Sequence, residues 1–225
     1  MSDIIAIAAD DLLPLEDFTN SHPLRVDLVY AQEKHPDNMF GCAIYRADAR
    51  MLCHRKFLPI ILDAALLCHA QSGLSFELKD CLRTVEAQEM MRQTDIVKAN
   101  PHWLEEPNRL LSPPGKGGHP RGMAIDIILL DANGDEVDMG TRFDYLTPDP
   151  ARNPAARSFR DLPADVLARR QLLEECMMQS AAKHELPLLP LPQEWWDFRF
   201  PRDLYDLYAP VQDVQMPPAC RMTAA

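Results

Sequence analysis

Two short stretches of this chain bring together residue types that can move protons or hold a metal ion. In Gly118-His119-Pro120-Arg121-Gly122-Met123-Ala124-Ile125-Asp126, a loop histidine precedes a carboxylate set in an apolar run. Burying an ionised carboxylate costs on the order of several kcal/mol unless it is paired, hydrogen-bonded or bound to a metal. Strand alternation puts Asp126 on the same face as Ala124, whose small side chain leaves space beside it. An ion pair with Arg121 or a cap on nearby backbone would satisfy Asp126 as well as a metal would. The second stretch, Glu194-Trp195-Trp196-Asp197, sets two carboxylates around an aromatic pair. Aromatic walls that exclude water raise a carboxylate pKa. The same pattern also suits core packing by the tryptophans, with Glu194 and Asp197 at the surface. Upstream, Arg83 has ordinary salt-bridge partners in Asp80 and Glu86.

The elements that position these residues show in the periodicities. Val26 to Tyr30 alternates as a short strand. From Leu58, the positions Ile61, Leu62, Ala65, Leu66 and His69 recur at helical spacing, Pro59 sits in the first turn and Gly73 supplies the stop. Leu74, Phe76 and Leu78 alternate with polar residues, so a strand runs into Asp80 and places Arg83 at its end, where Thr84 can cap a second helix. Residues 100–118, rich in proline and glycine, read as an irregular loop. Met123 to Leu130 predicts a central strand, returning through Asn133-Gly134 to Glu136–Met139 as a hairpin. A further loop spans 149–163. Ala164 to His184 predicts a helix with Val166, Leu173, Met177 and Ala181 along its core stripe. Beyond Tyr208 the patterning weakens and a mobile tail is expected. This order of elements predicts an α+β fold: a single compact domain with a central, mostly antiparallel sheet flanked by helices. The expected division is a lead-in at 1–25, the domain at 26–208 and a tail at 209–225.

At 225 residues the chain can bury one sizeable core. A net charge of -11 repels polyanions and anionic lipid, which argues against nucleic-acid and membrane partners. Residues 1–11 carry acids and no base ahead of their apolar stretch, opposite to a secretory leader, and this predicts a cytoplasmic protein. The six cysteines form no CxxC pair and are expected to be reduced, mostly buried thiols.

Taken together, His119-xx-Gly122-x-Ala124-x-Asp126, Glu194-Trp195-Trp196 and Asp80-xx-Arg83 resemble the zinc D-alanyl-D-alanine dipeptidases of the vancomycin-resistance type. Val26-Asp27-Leu28-x-Tyr30, Asn38-x-Phe40-Gly41 and Asp138-Met139-Gly140-Thr141-x-Phe143-Asp144 extend the resemblance across residues 26–200. It implies a DD-peptidase/hedgehog-like fold and one Zn2+ per chain. His119 and Asp126 would be metal ligands, Glu194 the general base toward water and Arg83 a stabiliser of the oxyanion. The implied substrate is a small dipeptide of D-amino acids, D-alanyl-D-alanine or a related compound. Where the family carries a third-ligand histidine this chain has Asp197, which can ligate through oxygen and makes Mn2+ or Fe2+ more competitive. His184 is expected to be an ordinary loop or core histidine. Gly117 stands where the family usually has a serine. Two alternatives follow from these departures: a catalytically impaired homologue that binds a dipeptide or partner, and a carboxypeptidase acting on cytoplasmic muropeptides.

Overall fold

The computed structural model of the chain describes residues 4–106, 109–147 and 149–224. Its elements are β1 (Leu12–Pro14), β2 (Leu24–Val26), β3 (Leu52–His54), α1 (Leu58–Ser72), β4 (Ser75–Asp80), α2 (Val85–Gln93), α3 (Asp95–Ala99), β5 (Ala124–Leu130), α4 (Ala164–Lys183), β6 (Leu189–Pro190), β7 (Asp197–Arg199) and α5 (Arg202–Tyr205). The fold is α+β. Five strands form the main sheet in the order β2-β4-β5-β7-β6, and β1 pairs with β3 apart from it. The β2–β4 pairing is parallel; the other pairings of the main sheet are antiparallel.

The local signals explain the main elements. Gly73 ends α1 at φ 74, a left-handed conformation open to glycine, and the Thr84 side chain accepts from Ala87 N to cap α2. Helix α4 packs on α1, where Ser180 Oγ donates to the Ile60 carbonyl. Strand β5 is buried along its whole length and lies between β4 and β7. Each of Ile125, Ile127 and Leu129 removed from water there contributes about 1.5–3 kcal/mol. No helix among the described residues is long and apolar enough to cross a membrane.

Three expectations differ from the structure. The strand expected over Val26–Tyr30 lies earlier, at Leu24–Val26, and Val29–Ala31 is a 3-10 turn. The chain turns there because Asp27 directs its carboxylate to Lys79. The return arm of the β5 hairpin shrinks to one bridge between Leu130 and Glu136. The segment beyond Tyr208, expected to be mobile, is docked: Val211, Met216 and Met222 are buried, and the Asp213 carboxylate accepts from Met222 N, Thr223 N and Thr84 Oγ1. Before the expected domain start at residue 26, Leu12, Leu15 and Leu24 join the same core.

Glu77 and Lys79, on the polar face of β4, are also buried rather than solvated, at 2% and 1% exposure. The Lys79 ammonium reaches Asp27 at 2.9 Å, Asp37 at 3.1 Å and Glu136 at 3.2 Å, and Glu77 beside it. Asp27, His35 and Asp37 are close enough to hold a cation, and Lys79 is that cation. Burial opposes the charge on Lys79, but its acidic neighbours outweigh it and raise the pKa. Lys79→Ala strands several carboxylates in a cation-free pocket and is expected to cost about 3–5 kcal/mol in a denaturant titration. A loss below about 1 kcal/mol would show the cluster to be solvated.

Candidate functional site

Three neighbouring strands bring an acid to the same end of the sheet. Asp80 of β4 is paired in register with Asp126 of β5, and Asp126 with Asp197 of β7. A register irregularity between Leu78 and Asp80 sets the first of these. All three carboxylates are buried. Like charges opposite one another are unfavourable, so this row depends on the cations around it.

His119 supplies one cation from a 3-10 turn, His119–Arg121, that precedes β5. Its approach requires two glycines. A Cβ on Gly118 would stand 2.7 Å from the Met123 carbonyl and 2.9 Å from Ala124 Cβ, so the space beside Ala124 is filled by the loop that carries the histidine. Gly122 closes the turn at φ 62, where a Cβ would meet His54 N at 2.9 Å. Arg121, the alternative partner for Asp126, points elsewhere and donates to the carbonyls of Tyr208, Gly115 and Gly117.

The imidazole has one nitrogen to spare. Nδ1 lies 2.8 Å from the Cys81 carbonyl, which can only accept, so Nδ1 carries a hydrogen and Nε2 faces the acids. Nε2 is 3.2 Å from Asp197 Oδ2 and 3.6 Å from Asp126 Oδ1. Burial works against a charge on His119, but Asp126 and Asp197 outweigh it and push its pKa up to about 10.

Arg83 supplies the second cation. It grips Asp80 Oδ2 through Nε at 2.9 Å and Nη2 at 2.6 Å, and Nη2 stands 3.8 Å from Asp126. The salt bridge with Asp80 is therefore real, and it holds Arg83 toward the site; Glu86 turns instead to Asp213 N. Arg199 supplies the third cation, holding Asp197 Oδ1 through Nε at 2.7 Å and Oδ2 through Nη2. Burial disfavours the Asp197 carboxylate, yet Arg199 and His119 hold its pKa below the usual range.

The residues around this cluster suit a divalent cation. Asp80, His119 and Asp126 offer ligand atoms within 4.8 Å of one another. Asp80, however, is already satisfied by Tyr45 Oη at 2.7 Å and by Arg83, and it faces the nitrogen of His119 that donates to Cys81. Asp126 Oδ1, in contrast, is buried without any hydrogen-bond partner. An orphaned buried oxygen is costly and marks a position for an ion or ordered water. His119 Nε2 lies 3.6 Å from this oxygen and 3.2 Å from Asp197 Oδ2, so the nitrogen stands between the two carboxylates. Donor atoms bound tetrahedrally at about 2.0–2.2 Å lie roughly 3.3–3.6 Å apart, close to these two distances from the imidazole nitrogen. Arg199 contacts both oxygens of Asp197, Oδ2 included, so an ion at Oδ2 shares that oxygen with the guanidinium.

Glu194 lines the same cavity as His119, Asp126 and Asp197. It is buried, as are Trp195 and Trp196, so the surface placement that the sequence also allowed for Glu194 and Asp197 does not occur. Burial, with the charges of Asp197 and Asp126, raises the Glu194 pKa well above the usual carboxylate range. The structure thus gathers all five sequence candidates, Arg83, His119, Asp126, Glu194 and Asp197, around one cavity. His184 is absent from it and bonds Asp63 at 2.7 Å.

Three contributors escaped the sequence reading. Asp144 lines the cavity at φ 55, bonds Tyr30 Oη at 2.8 Å, and burial first among its causes pushes its pKa up to about 7. Arg157 fixes the backbone of the final strand by donating to the carbonyls of Leu191 and Asp197. Arg199 shares a strand face with Asp197, and that i, i+2 relation was the available signal.

The family model described as D-ala-D-ala dipeptidase matches residues 10–215. The chain is similar to the D-alanyl-D-alanine dipeptidase of Escherichia coli strain K12, at 26% identity over 179 residues that cover 80% of each chain. It also overlaps in part with the crystal structure of Serratia marcescens L-Ala D-Glu endopeptidase ChiX, with a TM-score of 0.37 and 13% identity, covering 68% of this chain and 84% of that one.

Proposed function

This chain belongs to the D-ala-D-ala dipeptidase family of peptidases, and from that membership we propose that it hydrolyses D-alanyl-D-alanine or a related free D-amino-acid dipeptide with a divalent metal ion. His119 Nε2, Asp126 Oδ1 and Asp197 Oδ2 would hold the ion. The observation that carries this proposal is the unpartnered, buried Asp126 Oδ1 facing His119 Nε2 beside a second buried carboxylate. Zinc is the expected ion, and the oxygen-rich donor set keeps manganese and iron in competition.

When bound, the ion supplies Lewis acidity toward the scissile carbonyl and toward water. Glu194 takes the proton from the attacking water and passes it to the leaving amine. Burial and the neighbouring acids raise its pKa, which makes it a stronger proton acceptor than an exposed carboxylate. Arg83, locked by Asp80, presents its guanidinium where negative charge develops on the carbonyl oxygen. Asp144, backed by Tyr30, offers a carboxylate to the substrate ammonium. Buried Trp196 and Phe143, in edge contact at 5.7 Å, form an apolar wall that limits water. The proposal places the reaction in the cytoplasm, where a free dipeptide is available.

One observation favours a second role, that of a binding homologue without turnover: Arg199 engages both oxygens of Asp197 and competes with a metal for them. Product analysis separates the possibilities. The chain is incubated with D-alanyl-D-alanine, L-alanyl-L-alanine and a D-alanyl-D-alanine-terminated muropeptide. The dipeptidase account expects free D-alanine from the first alone. Cleavage of the muropeptide would make it a carboxypeptidase, and binding without release of D-alanine would support the homologue that only binds.

A further inference from the structure

Arg199 has one guanidinium nitrogen that its ion pair does not use. Nε and Nη2 are committed to Asp197, whereas Nη1 has no hydrogen-bond partner among the described residues. Arg199 nevertheless lines the cavity that contains His119, Asp126 and Glu194. An arginine that keeps a donor directed at a polar cavity is equipped for a planar anion, because its fork of donors matches a carboxylate.

The loop opposite makes room for this nitrogen. A Cβ on Gly117 would come 3.3 Å from Arg199 Nη1, tighter than most real contacts, and Gly117 has φ +90, where side chains are strained. A side chain at this position would therefore crowd the guanidinium and strain the backbone. Lys116 and Ser112, on the same loop, line the cavity as well. This part of the lining is rich in donors, whereas the carboxylate of Asp144 belongs to a separate segment bonded to Tyr30. A zwitterionic dipeptide needs both: an acid for its ammonium and donors for its carboxylate.

We propose that Arg199 binds the terminal carboxylate of the substrate through Nη1 while its other edge holds Asp197, and so confines the site to peptides with a free C-terminus. This assignment rests on the dipeptide function proposed above. It makes Arg199 a specificity-determining residue that joins substrate recognition to the position of a candidate ligand. The bond to Asp197 fixes the guanidinium plane in advance, so little freedom is lost when a carboxylate arrives.

The test uses calorimetric titration of the full chain carrying Glu194→Gln, so that binding is measured without turnover. The two probes are D-alanyl-D-alanine and its C-terminal amide. With Arg199 present, the dipeptide is expected to bind about 10- to 100-fold more tightly than the amide, the scale of one charge-assisted hydrogen-bonding contact. Adding Arg199→Gln should weaken the dipeptide by that factor relative to the amide and bring the ratio near one. If that variant does not fold, Arg199→Lys decides, because an ammonium lacks the second planar donor edge on which a carboxylate would dock, and the ratio should again fall. An undiminished ratio in the folded variant overturns the assignment and leaves the dipeptide function standing. Failure of the starting protein to bind either probe, with no cleavage by the unmodified chain, removes both together.

Discussion

Glu194→Gln is expected to keep the metal and lower kcat by about 10²–10⁴-fold, the contribution of a positioned general base. Glutamine preserves the shape and packing of the buried side chain but cannot accept a proton. Because Glu194 is not among the three atoms facing the metal position, ion content should stay at the unmodified level. Burial and the charges of Asp197 and Asp126 already favour the uncharged form of Glu194. A neutral amide therefore suits the pocket, and thermal stability should be maintained. If Glu194 acts only in the transition state, kcat and kcat/KM fall together with KM little changed. Loss of metal along with activity would instead make Glu194 a ligand, and unchanged activity would remove it from the mechanism.

His119→Ala is expected to lose both metal and hydrolysis, each by at least about 10²-fold, since even outer partners of metal ligands cost 10–100-fold when removed. The substitution deletes the nitrogen among the three candidate ligand atoms and leaves the Cys81 carbonyl without its imidazole donor. It also removes the positive charge that separates Asp126 from Asp197 in the metal-free chain. A metal must displace the proton from Nε2, so ion affinity of the unmodified chain should rise with pH until His119 loses its proton near about 10. In His119→Ala that dependence on pH should be much shallower. Metal retained at unmodified affinity would show that the acids hold it without the imidazole.

The helices and the central strand were readable because a single local signal fixes each. Thr84 and Gly73 mark helix ends, and an apolar run such as 123–130 suits a strand covered on both faces. The candidate ligands came from the family resemblance: a carboxylate within that run and a pair flanking two tryptophans each call for a partner, but an ion pair or core packing would answer as well. What stayed hidden depends on segments far apart in sequence. Glu77 and Lys79 alternate with Phe76 and Leu78 as surface residues would, and are buried by Asp27, Asp37 and Glu136 from elsewhere in the chain. Arg199 looks like a solvated strand residue until the fold sets it against Gly117. Asp197 in place of histidine likewise gains its counter-charge only when Arg199 shares its strand face. The docking of the tail through Asp213 has the same cause, a polar residue whose partners are set by the fold.

The central claim, that His119, Asp126 and Asp197 form a working metal site, is tested most directly by elemental analysis of gently purified protein alongside hydrolysis of D-alanyl-D-alanine. The measurement is repeated after chelation and after addition of zinc, manganese or iron. The expected result is about one divalent ion per chain, with hydrolysis lost on chelation and recovered with at least one of the three ions. A chain that retains no ion and releases no D-alanine with any of them would contradict the claim.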